Sequence, residues 1–429
     1  MIVAVVGAGP AGMAAAAAAA DAGADAVLVD GEPAPGGQYH RGHPPRLDPR
    51  VRHLADSTVW AVEGRRLHLL TGPADAPRRT AAALDADAVV LATGAHDRVL
   101  PFPGWDLPGV YTAGAAQALA KGQRVAVGRR VVVAGTGPFL LPVAGALLAA
   151  GAGVTAVCEA AGGGRWLRHP AAIDAGRLAE LARYAAVLRR HRVPWRRRTA
   201  VVAAHGDGRV TAVTLARLNP DWTVRATRRV PADAVCVGHG FTPRLELAVA
   251  AGCALAGGFV RVDERGATSA PGYWAAGEVT GIGGADAAAA EGAVAGAAAA
   301  GATPPAAALA RARRGRRFAA ALADAHPIRD GWRSWLDPDT LVCRCEEVTL
   351  GALRAAVAHG AGSVRTVKLA SRAGLGMCQG RVCGPHVADL VAADPGGPPA
   401  DPAAWHRRPV ATPVRLGELA GPHPPEEIT

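Results

Sequence analysis

The apolar run Ile2–Val6 ends directly in the glycine loop GAGPAG, residues 7–12. An alanine-rich segment follows as far as Gly23, then a second apolar run, residues 26–29. Strand, tight turn, helix and strand in this order make a βαβ unit, which commits the chain to an α/β fold around a parallel sheet. Each glycine has its own task in such a unit. Gly7 permits the turn, Gly9 lets the backbone approach a pyrophosphate, and Gly12 lets helix and strand pack closely. The N-terminus of the helix turns oriented N–H groups toward the phosphates. Asp30, about 20 residues beyond the loop, stands where a ribose hydroxyl needs an acceptor.

The pattern returns at residues 131–134, where GTGPFL (135–140) opens a second helix and residues 154–157 lead to Glu159. Gly135 and Gly137 keep the turn and the close approach. Leu140 replaces the third glycine, so helix and strand are expected to stand further apart. Glu159 would repel a 2′-phosphate, which favours NAD over NADP. The alternative is a nucleotide-binding fold that holds a different nucleotide, or none.

Two more segments follow the same logic: VVLATGA (89–95) is a strand ending in Thr93 and Gly94, and YWAAGEVTG (273–281) a strand ending in Gly277 and Glu278. The order of glycine loop, ATG, second glycine loop and AGE resembles the two-dinucleotide flavoprotein reductases, the class of thioredoxin reductase. The resemblance implies FAD at Gly7, Gly9, Gly12, Asp30, Thr93, Gly94, Gly277 and Glu278, with the Glu278 carboxylate on the flavin ribityl chain. It also places Gly37 and Gln38, from the GGQ at 36–38, in a flavin-contacting loop. A second nucleotide unit, holding NAD or another nucleotide at Gly135, Gly137 and Glu159, would be inserted in the FAD domain, with the chain returning near residues 241–244.

The redox-active cysteine pair of the disulfide reductases has no counterpart before residue 343. Cys158, Cys236 and Cys253 stand singly in apolar strand or helix contexts, where a buried, inert thiol is expected. Electrons therefore need another exit. LVCRCEEVT (341–349) and GMCQGRVCGPH (376–386) supply Cys343, Cys345, Cys378 and Cys383 in a CxC and a CxxxxC. Close cysteine pairs outside a secreted disulfide framework bind metal or do redox chemistry. Zinc and iron–sulfur both remain open on spacing alone. Residues 338–390 resemble the bacterioferritin-associated-ferredoxin-like [2Fe-2S] domain, in which this spacing supplies the four ligands. Together with PFPGWDLPGVYTAGAAQALAKGQ (101–123), the chain to about residue 420 is similar to the α subunits of heteromeric amine and amino-acid dehydrogenases: the hydrogen cyanide synthase, opine oxidase, and D-hydroxyproline or proline dehydrogenase complexes. The resemblance implies two partners. One is an FAD-bearing β subunit like the glycine and D-amino-acid oxidases, which would oxidise the substrate; the other is a small ferredoxin-like chain.

The expected architecture is thus α/β, with two Rossmann-like dinucleotide-binding domains, the NAD unit inserted in the FAD domain, and a small C-terminal iron–sulfur module. Residues 1–120 and 244–330 would form the FAD domain, 121–243 the NAD(P)-type domain, 338–392 the [2Fe-2S] domain and 393–429 a Pro/Gly-rich tail over the surface or a partner. No apolar run is long enough to span a membrane. The N-terminus fits a first strand and not a signal peptide, so a cytoplasmic protein is expected. The net charge of +11 comes from arginine-rich patches, residues 189–198 and 311–317. These read as solvated faces or as a basic docking surface, and no nucleic-acid motif accompanies them. His40, His43 and His96 lie near the flavin segments without an identifiable partner, and no catalytic base is named. Two rival readings stand beside that of a dehydrogenase component. One is a stand-alone NAD(P)H-dependent reductase acting on a ferredoxin or small acceptor, and the other a structural subunit with a zinc-stapled interaction domain.

Overall fold

Ile2–Val6 is the middle strand of a five-stranded parallel sheet in the computed structural model, which describes residues 1–428 apart from 75, 399, 400, 402, 409 and 421–425. Its neighbours are Asp25–Val29 on one side and Ala88–Leu91 on the other, with Arg52–Leu54 and Tyr273–Ala275 at the edges. A strand from residue 273 thus joins a sheet begun at residue 2, the arrangement an inserted domain requires. The central strands are buried on both faces, which is why they read as continuous apolar runs without alternation.

The alanine-rich composition has a packing reason. Helix Pro10–Asp21 lies against helix Ala285–Ala299. A Cβ on Gly292 or Gly296 would come within 2.0 Å of the carbonyl oxygens of Ala11 and Ala15. Small side chains let the two backbones touch, and bulkier ones would push the helices apart.

Contacts divide the chain into two compact units. The first comprises Met1–Ala95, Pro243–Ala320 and Trp405–Thr429, the second His96–Thr242 and Ala321–Ala404. The first unit adds to its parallel sheet an antiparallel meander, Ser57–Glu63, Arg66–Thr71 and Thr80–Asp85, and the chain's last strand, Glu426–Glu427, pairs with the third of these. The C-terminal residues, expected as an extended tail, are therefore built into this unit. Trp405 is buried, Ala411 N–H donates to the Trp60 carbonyl, and Arg79 forms a two-pronged ion pair with Glu418, both bonds 2.8 Å. Arg79 holds the Glu418 carboxyl down at about 2, against an ordinary 4.5. The folded value lies below the unfolded one, so the stabilisation is complete above about pH 4.5 and drains away as the pH falls toward 2. Arg79→Ala is expected to cost about 2 kcal/mol, between an exposed and a fully buried pair. The loss should appear in thermal melts at neutral pH and fade toward pH 2; a melting point unchanged at neutral pH would contradict it.

The second unit carries its own five-stranded parallel sheet, in the order Trp195–Arg197, Val154–Glu159, Val131–Gly135, Ala234–Gly238, Val110–Thr112. The antiparallel strands Thr199–His205, Ala212–Leu218 and Val224–Pro231 follow its edge strand. The cysteine-bearing segment belongs to this unit. It consists of the hairpin Leu341–Cys343 and Val348–Thr349 and helices Leu350–Ala358, Val364–Ser371 and Gly384–Ala393. Trp105 Nε1 donates to the Leu341 carbonyl at 2.6 Å, Arg98 pairs with Asp389 at 2.8 Å, and buried His386 donates from Nε2 to the Val342 carbonyl at 2.7 Å. Among the described residues no helix is long and apolar enough to cross a membrane.

Candidate cofactor sites

In the first unit, three segments far apart in sequence meet at the first glycine loop. Gly7 has φ +105°, and a Cβ there would lie 2.3 Å from the Ala92 carbonyl oxygen, just before Thr93. A Cβ on Gly12 would lie 1.7 Å from the Gly7 carbonyl oxygen, so strand and helix leave no room for a side chain. The GGQ loop crosses above: Gly36 N–H donates to the Ala8 carbonyl at 2.7 Å, and Gly37 approaches Gly9. Gly277, at φ +81°, sits against Ala11. Thr93 and Gly94 are bracketed by Arg244, whose carbonyl accepts from Thr93 Oγ1 at 2.8 Å and whose N–H donates to Gly94 at 2.9 Å.

This cradle has an open floor. Nothing lies within 4 Å of a Cβ built on Gly9 or on Gly94, and Gly9 caps helix Pro10–Asp21 without any side-chain partner. Free helix N–H groups over bare glycine fit a pyrophosphate. Half-exposed Asp30 accepts from Ala8 N–H and from Glu32 N–H. The Glu278 carboxyl is pushed up by burial and makes no hydrogen bond among the described residues, so it is free for a ligand hydroxyl. Gln38 differs from the rest: it is exposed, with its amide oxygen held by Arg41 Nε at 3.1 Å. The residues present fit a flavin dinucleotide.

Sequence reasoning missed Glu291. This buried carboxylate accepts from Gly277 N–H at 3.0 Å and Thr280 Oγ1 at 2.9 Å, with Arg316 at 3.7 Å. It therefore fixes the turn that presents Glu278. Its one signal in the sequence is an acid in the middle of an alanine run.

The second glycine loop, in the second unit, is covered. Gly137 and Glu159 are buried, where Gly9 and Asp30 are half-exposed. The Glu159 carboxylate accepts three hydrogen bonds: Thr136 Oγ1 donates at 2.7 Å, Gly137 N–H at 2.9 Å and Ala161 N–H at 2.8 Å, and His326 Nδ1 stands 3.6 Å away. Trp166 Nε1 donates to His326 Nε2 at 3.1 Å, while Arg165 and His169 clamp Asp324. Residues 324–326 thus form a strap over the loop. The helix begins late, at Leu140, so the bulk of Leu140 is taken up by a delayed first turn. In this arrangement Glu159 already holds three protein donors, one more than Asp30, while Gly137, like Gly9, has nothing within 4 Å of a built Cβ.

The four C-terminal cysteines come together within the second unit. Cys343 and Cys345 Sγ are 3.9 Å apart, and Cys345 and Cys378 Sγ 3.8 Å. Cys383 donates to both Cys343 and Cys378, which first of all holds those two thiols well below the ordinary thiol range. Backbone N–H groups of Gly374 and Glu346 act on Cys343, and those of Val382 and Gly380 on Cys378. Cys383 also stands at the N-terminus of helix Gly384–Ala393, but its hydrogen bonds to Cys343 and Cys378, and then its burial, push its own thiol up. No three His, Cys, Asp or Glu side chains close around a single-ion position among the described residues. The fit therefore rests on the chemistry of the donors: four thiols in contact, with N–H groups aimed at sulfur, suit an anionic iron–sulfur cluster. Cys158 and Cys236, both on strands, are buried with thiols raised by burial; Cys253 is buried too, in a loop and not in a strand or helix.

Residues 1–292 match the pyridine nucleotide-disulphide oxidoreductase family, and residues 341–393 the BFD-like [2Fe-2S] binding domain. An opine oxidase subunit from Rhizobium meliloti is 34% identical, over 97% of this chain and 87% of that protein. Hydrogen cyanide synthase subunit HcnB of Pseudomonas aeruginosa is 32% identical, over 88% and 90%. In fold, the chain is similar to the L-proline dehydrogenase structure from P. horikoshii, with a TM-score of 0.68 at 18% identity over 98% of this chain and 80% of that one.

Proposed function

Because this chain belongs to the pyridine nucleotide-disulphide oxidoreductase family and carries a BFD-like [2Fe-2S] binding domain, we propose that it is the electron-transferring subunit of a heteromeric dehydrogenase acting on amines or amino acids. The observation that carries this reading is an open dinucleotide loop and a four-thiol set in one chain, aligned almost end to end with subunits of opine oxidase and hydrogen cyanide synthase.

Bound FAD and [2Fe-2S] supply two-electron and one-electron redox chemistry, respectively. The chain's own residues supply binding and placement. Gly7, Gly9 and Gly12 bring the helix N–H groups to the pyrophosphate, and Asp30 takes the ribose. Thr93, Gly94, Gly37 and Gln38 line the flavin side, and Glu278, fixed through Glu291, holds the ribityl chain. Cys343, Cys345, Cys378 and Cys383 hold the cluster, and no side chain of this chain is assigned a proton transfer. An FAD-bearing partner resembling the glycine and D-amino-acid oxidases would break the substrate C–H bond next to nitrogen, and a small ferredoxin-like chain would complete the relay. The proposed setting is the cytoplasm, where thiols stay reduced and available to a cluster.

The strap over the second glycine loop favours electron entry from a partner over entry from NADH. Anaerobic titration of the isolated chain with one equivalent of NADH is expected to leave the flavin absorbance unchanged over minutes. Stoichiometric bleaching by NADH alone would replace this reading with that of a stand-alone reductase.

A further inference from the structure

The arginine-rich run at 189–198 has a destination beyond a solvated face. Its edge strand, Trp195–Arg197, and the antiparallel strands beside it form an open cavity of about 450 Å³ lined by Arg196, Arg197, Arg217 and Arg228 together with Thr199 and Thr227. The strand register brings the groups together. Arg217 stands opposite both Thr199 and Ala226, and Arg228 follows Ala226 by two residues on the same face. Arg196 and Arg228, on strands of two different sheets, both line the cavity.

None of the four guanidiniums pairs with a carboxylate among the described residues. Arg197 only lies over the Trp195 ring, 5.2 Å from its centroid. Arg196 Nε is buried and has no hydrogen-bond partner. Arg197, Arg217 and Arg228 are exposed and Arg196 is half-buried, so four like charges line one open cavity while one donor, Arg196 Nε, is withdrawn from solvent. Like charges across neighbouring strands repel, and a buried unpaired donor is destabilising, unless an anion satisfies both.

We propose that this cavity binds a small polyanion bearing two or more phosphate groups. Guanidinium forks match phosphate oxygens in pairs, the two threonine hydroxyls add neutral donors, and a di- or triphosphate brings enough negative charge into the volume to balance four arginines. Arg197 stands opposite Glu159 in the strand register, so the site borders the second glycine-loop unit, and it does not depend on the dehydrogenase reading.

The test is calorimetric titration of the purified full-length protein with inorganic pyrophosphate and tripolyphosphate at constant ionic strength, with citrate as a matched polycarboxylate. Saturable 1:1 binding is expected, stronger for tripolyphosphate, at least about tenfold weaker for citrate, and at least about tenfold weaker in Arg196→Gln/Arg228→Gln. Arg217→Gln, at an exposed position, repeats the test without touching half-buried Arg196 and guards against misfolding of the double variant. Undetectable binding at about 1 mM pyrophosphate, equal affinity for citrate, or full affinity in both variants would overturn the proposal. So would an acidic peptide that binds in an arginine-dependent way where pyrophosphate does not, since the cavity would then be a protein-docking surface.

Discussion

Cys378→Ser is expected to remove nearly all iron and acid-labile sulfide, from about two of each per chain for a [2Fe-2S] centre, while leaving the flavin absorbance intact. Cys378 is the most strongly thiolate-favouring of the four, served by the Cys383 thiol and by two backbone N–H groups, and it also touches Cys345. Serine keeps the shape but is a poor cluster ligand. Gly376→Ala should give a graded version of the same defect. A Cβ there would lie 2.5 Å from Cys345 Sγ and press on the Glu346 carboxylate, which Arg372 pins at 2.7 Å. Iron assay and the visible spectrum decide both. Full iron content in Cys378→Ser would remove this cysteine from the ligand set.

Gly9→Val should fold and yet lose FAD. The Gly9 backbone is extended at φ −72°, which valine adopts readily, and nothing in the protein lies within 4 Å of the new Cβ. The side chain therefore fills only the space left for the pyrophosphate. Flavin content after purification is expected to fall at least about tenfold, with the circular dichroism spectrum unchanged. Gly12→Val is the contrasting case, because its Cβ would meet the Gly7 carbonyl at 1.7 Å and disturb the fold itself. A Gly9→Val protein that retains full flavin would place the pyrophosphate elsewhere.

The local chemistry of both glycine loops was legible in the sequence because turn, helix start and terminal acid lie within about 30 residues and each obeys a local rule. The four cysteines were legible for the same reason, since their spacing is itself the signal. What escaped reading is long-range. Glu291 reaches Gly277 from within an alanine run, and nothing in its neighbours marks it as a turn-fixing group. Asp324 and His326 close the second loop from residues more than 150 positions beyond Trp166 and Thr136. The two loops therefore differ in what covers them as well as in the third glycine, which is Leu140 in the second. Residues 393–429 read as a Pro/Gly-rich tail over the surface or a partner because the anchors are Trp405 and the Glu418 partner of Arg79, 339 residues away. The arginine cavity depends on strand register, which composition cannot supply.

The central claim, that this chain relays electrons for a substrate-oxidising partner, is tested most directly by comparing the chain alone with the chain co-expressed with its neighbouring reading frames. The measurement is anaerobic reduction by a panel of amines and amino acids, followed in the visible spectrum and by electron paramagnetic resonance. The account predicts no reduction of the isolated chain by any substrate, and substrate-dependent appearance of a reduced-cluster signal only in the complex. Full-rate oxidation of an amino acid by the chain alone would contradict it.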